Sequence, residues 1–221
     1  MAQYKSKINS AGVYQPFYGY TCISFLGAET LDAAKKIEDF IKTSSLKNCF
    51  SALPYETFHM TLFNIYCMAG DPIPPVVRWM QNEDETIPER LWLQEDVLKV
   101  QHIQASNSIS KLSKQLKIEN IELYSKKGLG VWVELQNDHK TETEILRQEL
   151  SQIYEHDDKN LRFHVTFAYK FKNCEKCDTF KRDLKKLKTM VSVLIGATLE
   201  NHNIYLYNSM TNYIPQEFFY T

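Results

Sequence analysis

The chain of 221 residues lacks an excess of charge of either sign: 26 Lys and Arg stand against 27 Asp and Glu, for a formal net charge of −1. That balance argues against a broad, non-specific binder of nucleic acid or membrane, though it permits a local basic cleft. The chain also lacks an apolar run long enough to cross a bilayer, and none follows Met1-Ala2-Gln3-Tyr4-Lys5 that would serve as a secretory signal. Cysteines are few, odd in number and scattered (Cys22, Cys49, Cys67, Cys174, Cys177). A disulfide framework is therefore disfavoured, and a reducing, cytoplasmic setting is expected. Histidine is scarce as well, with six in the chain. What remains is ordinary for a folded protein: 43% hydrophobic and 24% charged residues. The length suits one large domain or two closely packed lobes.

Periodicity and turn residues divide the chain. Residues 18–25 are aromatic and β-branched and read as a strand ended by Gly27, with a helix over 30–43 carrying Leu31, Ala34, Ile37 and Ile41 on one face. After Pro54, residues 57–66 read as a second strand. Pro72, Pro74 and Pro75 mark a loop, and 82–85 an acidic turn. A helix is expected over about 89–116, with Leu93, Val97, Val100 and Ile103 as its apolar stripe, and then a short strand at 121–124. The opening pattern returns with a strand at 129–135. A capping box at Thr141 and Glu144 starts a helix running to about 154, with Leu146, Leu150 and Ile153 inward. A polar turn at 156–160 leads to a strand at 161–171. A helix over 178–188, N-capped by Asp178, precedes strands at 193–199 and 203–207. Strand–helix–strand thus occurs twice, a weak internal duplication that predicts two similar lobes facing each other.

Each copy ends on the same phrase. Phe58-His-Met-Thr-Leu-Phe and Phe163-His-Val-Thr-Phe-Ala match at Phe, His and Thr. Strand side chains alternate, so His59, Thr61 and Phe63 are expected on one face and Phe58, Met60 and Leu62 on the other. Likewise His164, Thr166 and Ala168 oppose Phe163, Val165, Phe167 and Tyr169. The apolar faces have burial to do, which leaves each His/Thr pair for another task. Two imidazoles can divide proton acceptance and donation near neutral pH, and threonine hydroxyls can donate to phosphate oxygens. That set suits phosphoester chemistry and requires no metal. A lone strand histidine is more often structural; the matched pair makes the case.

The doubled His-x-Thr on equivalent strands of a duplicated chain resembles the 2H phosphoesterase superfamily. Tyr14-Gln-Pro-Phe-Tyr-Gly-Tyr-Thr and Leu53-Pro-Tyr-Glu-Thr-Phe-His-Met-Thr resemble a branch with a Pro-Phe-x-Gly-x-Thr element and a Leu-Pro-x4-His-Met-Thr signature. The resemblance spans about 12–218. It implies an α+β fold of two pseudo-symmetric lobes, each an antiparallel sheet backed by helices, within one domain over 1–221. Lobe one would cover about 12–70 plus strands from the C-terminal part, a helical insertion about 71–118, and lobe two about 119–221. It also implies metal-independent catalysis by His59 and His164, as base and acid respectively, with Thr61 and Thr166 holding phosphate and no cofactor. The expected substrate is a nucleotide or short RNA-like phosphoester: a 2′,3′-cyclic phosphate, a 2′,5′ linkage or a cyclic oligonucleotide. The near-zero net charge leans toward a small substrate. A monomer is expected, with no membrane partner. A non-catalytic binder of a nucleotide or RNA end in the same cleft is the alternative. The intact motifs favour the enzyme, and a zinc hydrolase lacks a further ligand at the required spacing.

Other residues carry both a functional and a plain reading. Lys170 shares the parity of His164 with Arg162 and Lys172, and would approach phosphate in a strand without a bulge; otherwise it is a solvated strand end. Tyr18, Tyr20, Trp132, Tyr205 and Tyr207 could stack a base or simply pack. Of these, Tyr18, Tyr20, Trp132, Lys170 and Tyr207 are the candidate substrate-binding residues. Cys174-Glu-Lys-Cys177 lacks the second ligand pair that zinc needs, and the basic run 181–188 fits the wet face of a helix better than an RNA-binding strip.

Overall fold

A computed structural model describes residues 6–67, 69–82, 97–158, 161–174 and 177–215. Among the described residues eight strands and five helices follow one another: β1 (Gly19–Leu26), α1 (Leu31–Thr43), β2 (Phe50–Ala52), β3 (His59–Cys67), α2 (Pro74–Asn82), α3 (Lys99–Ile109), β4 (Leu116–Tyr124), β5 (Gly128–Leu135), α4 (Asn137–Tyr154), β6 (His164–Lys170), α5 (Asp178–Val191), β7 (Thr198–Ser209) and β8 (Asn212–Pro215). The class is α+β, and every strand pair is antiparallel.

The duplication is visible as β1–α1–β3–α2–α3–β4 followed by β5–α4–β6–α5–β7. The last strand of each copy crosses over. β7, with β8 beside it, pairs with β1, while β4 pairs with β5. One half of the sheet is thus β3-β1-β7-β8 and the other β2-β6-β5-β4. These halves are the two antiparallel sheets that the family resemblance implies, here joined into one. Two short seams join them, Met60 opposite Val165 between β3 and β6, and Leu116 and Lys117 opposite Leu199 and Thr198 between β4 and β7. Helices α1 and α5 pack together near β2 and β6, and α3 and α4 pack together against β7, β3 and β5. Leu62, Phe63, Phe167 and Leu199 are among the fully buried side chains beneath them, contributing of the order of 1.5–3 kcal/mol each on transfer from water.

Several local expectations are revised. In α1 the buried face is Ala34, Ile37, Glu38 and Ile41, and Leu31 is exposed. The loop expected here holds at Pro72 but ends sooner: Pro74 and Pro75 form the first turn of α2, because proline at a first helical turn gives up no hydrogen bond. In α3 the expected stripe points outward: Val100 and Ile103 are 63% and 50% exposed, and His102, Ala105 and Ile109 face the core. Leu93, the acidic turn beyond Asn82, the end of the 156–160 turn and the Glu-Lys between Cys174 and Cys177 lie outside the described residues. Helix α4 starts at Asn137, before the expected capping box, and the Thr141 hydroxyl donates to the Asn137 carbonyl from within it. Cys177, not Asp178, is the N-cap residue of α5. Of the strand expected at 193–199 only Thr198 and Leu199 are extended, after a 3-10 turn at Ser192–Leu194; they open β7, which runs through the strand expected at 203–207 past an irregularity at Asn201, whose φ is +55°. The short β2 and β8 carry too few residues for a pattern to show. The basic residues of 181–188 lie on the exposed face of α5, while Asp183 turns in and accepts from the Ser45 amide at 3.0 Å and hydroxyl at 2.7 Å. No helix among the described residues is long and apolar enough to cross a membrane.

His102 gives the fold a pH dependence. It is 2% exposed, its Nδ1 lies 2.7 Å from the Tyr154 hydroxyl, and burial pushes its pKa down to about 3. The unfolded chain takes up this proton near pH 6.5 and the folded chain only near 3, so stability falls as pH drops through that window. Urea unfolding at pH 7 and pH 4.5 is expected to show a smaller acid loss for His102→Phe than for the unaltered chain, by as much as ~2.5 kcal/mol. An identical loss in both would refute the assignment.

Candidate active site

The seam between β3 and β6 determines what the hexamers do. In an antiparallel pair a step forward on one strand is a step back on the other. With Met60 opposite Val165, the register sets His59 across from Thr166 and Thr61 across from His164. Met60 and Val165 are fully buried. Alternation then turns the four polar side chains to the other face, where they line one cavity of about 160 Å³ together with Lys7, Asn64, Tyr169, Tyr207 and Tyr213.

A bulge follows each threonine. Ile23 pairs with Thr61 and Cys22 with Phe63, so Leu62 is the extra residue in β3; Gly130 pairs with Thr166 and Leu129 with Ala168, so Phe167 is the extra residue in β6. A bulge reverses the alternation beyond it. Phe63 and Ala168, expected beside the His/Thr pairs, are instead fully buried. Asn64 and Tyr169 take the cavity positions. Lys170, which required a bulge-free strand, does not line the cavity. The Leu62 carbonyl accepts from Arg147 Nε at 2.7 Å, and Arg147 Nη1 donates to the Leu161 carbonyl at 2.9 Å. The guanidinium lies 3.9 Å from the Phe163 ring centroid. One α4 side chain thus ties the bulge of the first motif to the approach of the second.

Both histidines are anchored alike. His59 Nδ1 is 2.7 Å from the Thr57 carbonyl, and His164 Nδ1 is 2.9 Å from the Arg162 carbonyl. A carbonyl only accepts, so Nδ1 carries the proton in each ring and the lone pair is left on Nε2. Each imidazole also has an aromatic partner across the strand pair: Phe25 with His59, centroids 6.0 Å apart, and Trp132 with His164, 5.6 Å apart. Tyr213 lies edge-on to His59 at 4.7 Å. The Tyr124 hydroxyl is 2.8 Å from Thr166 Oγ1. Burial pushes the His59 pKa down to about 4, opposed by the Thr57 bond and assisted by the charges of His164 and Lys7. His164 is also held below its ordinary value by burial, against the Arg162 bond, with Lys7 and Arg147 adding to the effect. Lys7 rests over the Phe17 and Tyr169 rings, with Nζ 3.2 Å from the Tyr169 hydroxyl.

Of the residues expected to bind substrate, Tyr207 lines the cavity and Trp132 abuts His164. Tyr20 is buried against His102, 4.9 Å between centroids, and Tyr18 does not line the cavity. Lys7, Phe25, Asn64, Tyr124, Tyr169 and Tyr213 were not singled out from sequence. The mirrored register of the two motifs was the signal available for Phe25, given Trp132. No group of three or more His, Cys, Asp or Glu among the described residues is placed to hold a metal ion.

Comparison with known proteins gives consistent results. A family model described as 2H-phosphodiest, domain of unknown function (DUF1868), matches residues 7–70. Uncharacterized protein 127L of Invertebrate iridescent virus 6 is 52% identical over 231 aligned positions, covering 100% of this chain and 98% of that protein. The crystal structure of the conserved protein of unknown function ATU0111 from Agrobacterium tumefaciens str. C58 superposes with a TM-score of 0.63. It covers 95% of this chain and 89% of that one at 14% identity, a likeness of fold.

Arg147→Leu leaves the Leu62 and Leu161 carbonyls without their charged donor. The expected result is a loss of ~2–4 kcal/mol in chemical denaturation, with Arg147→Lys recovering part of it. A midpoint unchanged in Arg147→Leu would show that water replaces the guanidinium at no cost.

Proposed function

We propose that this chain is a 2H phosphoesterase, a phosphodiesterase in which His59 and His164 transfer protons around a phosphoester held by Thr61 and Thr166. The observation that carries the reading is the paired anchoring: two imidazoles, each with Nδ1–H spent on a backbone carbonyl, offer Nε2 to one cavity flanked by two threonine hydroxyls.

The lower-pKa His59 is neutral across the physiological range and is assigned as base. Its Nε2 takes the proton from a water or a ribose 2′-hydroxyl as that oxygen bonds to phosphorus. His164, charged on Nε2, gives its proton to the oxygen that leaves. After one turnover His59 holds a proton and His164 has lost one, and exchange with solvent restores both. Thr61 and Thr166 donate to non-bridging oxygens as charge builds there, Thr166 oriented by Tyr124. Lys7 adds an ammonium on the same cavity wall. The substrate class is a nucleotide or short RNA-like phosphoester: a 2′,3′-cyclic phosphate, a 2′,5′ linkage or a cyclic oligonucleotide. No metal takes part in these steps.

Turnover in EDTA of 2′,3′-cyclic mononucleotides, 2′,5′- and 3′,5′-dinucleotides, oligoadenylates and cyclic dinucleotides tests the proposal. His59→Ala and His164→Ala are expected to abolish cleavage with the fold retained, and Thr61→Ala and Thr166→Ala to cost about 10²–10³ each. A fully active His164→Ala protein would remove the two-histidine mechanism.

The pH profile is a second test. The base is lost as pH falls through about 4, and the acid is lost as pH rises through a value below the ordinary histidine range. The kcat/KM profile should therefore peak on the acid side of neutrality. Lys7→Gln, which removes a positive charge that depresses both imidazoles, should move both limbs upward. Limbs that stay fixed would place Lys7 outside the site's electrostatics.

A further inference from the structure

The near-zero net charge is an average over two unlike helix layers. The outward arc of α5 is basic along its length, with Lys181, Arg182, Lys185, Lys186 and Lys188 all exposed. Its two acids do little to offset them. Asp183 is turned inward to Ser45, with Arg182 Nε 3.6 Å away, and Asp178, in the first turn, pairs with Lys181 at 3.2 Å. Helix α1 widens the face. Lys186 Nζ lies 5.1 Å from the Phe40 ring centroid, and Lys36, one turn before Phe40, is exposed on that side. Lys47, in the 3-10 turn that packs on α5, is exposed too. Lys35 and Lys42, by contrast, are paired within α1, with Asp39 and Glu38. Helix α4 has the opposite character: Asp138, Glu142, Glu144 and Glu149 stand against Lys140, and the head of Arg147 is turned inward.

One end of this basic face carries exposed aliphatic side chains. Ser45 bonds Asp183 and Phe40 lies under Lys186, so α1 and α5 run antiparallel, and the start of α1 lies at the end of α5. At that end Leu31, Val193 and Ile195 are 37%, 52% and 49% exposed. Gly196 follows with φ +84°, and a Cβ there would meet nothing within 4 Å, so the turn projects into open space. A belt of cations with aliphatic groups projecting at one end matches a bilayer of anionic lipid, which offers negative headgroups above a hydrocarbon boundary. A nucleic acid offers the charge alone. The aromatic residues of the two helices are Phe40, under Lys186, and Phe180, buried, so neither presents a ring for a base to stack on. We propose that the α1/α5 face is a docking surface for an anionic membrane, with the cations of α5 set against lipid headgroups and Leu31, Val193 and Ile195 entering the interface. None of these residues lines the catalytic cavity, so docking is independent of the phosphodiesterase reading.

Co-sedimentation with vesicles is the test, using phosphatidylcholine alone and phosphatidylcholine with about one-third phosphatidylserine. The unaltered chain is expected to bind the anionic vesicles at least ~10-fold more tightly than the neutral ones, and to release as salt rises. Replacing Lys181, Arg182, Lys185 and Lys188 by Gln should cost at least ~10-fold; if that variant fails to fold, Lys185→Gln with Lys188→Gln decides. Val193→Ser with Ile195→Ser should weaken anionic binding ~3-fold or more and keep its salt dependence. Replacing Lys114, Lys117, Lys126 and Lys127 by Gln removes equal charge from exposed positions elsewhere and should change the affinity by less than ~3-fold. Equal affinity for the two vesicle types, binding to neither, or equal losses in the two charge variants would overturn the docking surface. So would binding of an RNA duplex in place of vesicles, which assigns the face to nucleic acid. A dimer dissolved by the α5 substitutions, in a chain without vesicle affinity, would overturn it as well and assign the face to the acidic helix layer of a second copy.

Discussion

One antiparallel bridge, Met60 to Val165, is the constraint on which the rest of the arrangement depends. It is the point where the duplicated halves touch through their motif strands, and its register leaves no choice about what lies on either side. Shifting it by one residue would turn the buried pair outward and the histidines into the core, because side-chain direction has a period of two. The closed ring of strands, with β7 returning to β1 and β4 crossing to β5, holds the bridge from both ends. The polar positions are thus fixed by burial of their neighbours: two fully buried apolar residues secure the placement of four half-buried polar ones.

The bulges extend this logic. Without them β3 and β6 would carry Phe63 and Ala168 on the cavity side and Lys170 on the same face as His164. With them, both strands bend immediately after the threonine, and the apolar residues return to the core. The carbonyl of the extra residue Leu62 then needs a donor, and Arg147 supplies it from the opposite half. A buried carbonyl without a partner costs enough that helix α4 and strand β3 are coupled through this one side chain. The cavity's shape therefore depends on a helix whose own residues are not among its walls.

The His-x-Thr pairs were legible in sequence because strand alternation and repetition both mark them, and two independent copies of one phrase are difficult to read as packing. The strand–helix–strand order was legible for the same reason. The faces beyond the threonines were not, because a bulge inserts one residue without altering composition, and every parity argument past it reverses. That is why Lys170 was expected in the site and Tyr169 was not. The stripe of α3 misled differently. Val97, Val100 and Ile103 obey helical spacing, yet the helix buries His102 and Ala105, so tertiary packing overrode the pattern. Lys7 was beyond reach of any periodicity argument. It belongs to an irregular segment, folded over Phe17 and Tyr169 by contacts at long sequence separation.

The same lysine frames the electrostatics of the proposed reaction. The chain as a whole is nearly neutral, so no broad field gathers anions. Within the cavity, burial and one ammonium both disfavour charged imidazoles. An empty site of this kind holds its histidines neutral, which suits the base and leaves the acid unarmed. A phosphodiester brings the missing charge. Its negative oxygens, set among Thr61, Thr166 and Lys7, attract a proton to the nearer imidazole and raise its pKa by the same Coulombic rule by which Lys7 lowers it. Because His164 starts from the smaller displacement, it is the imidazole that substrate can charge at modest cost, while His59 stays neutral and able to accept. In the proposed reaction, the division of labour between two histidines of the same motif would follow from unequal desolvation and be completed by the substrate.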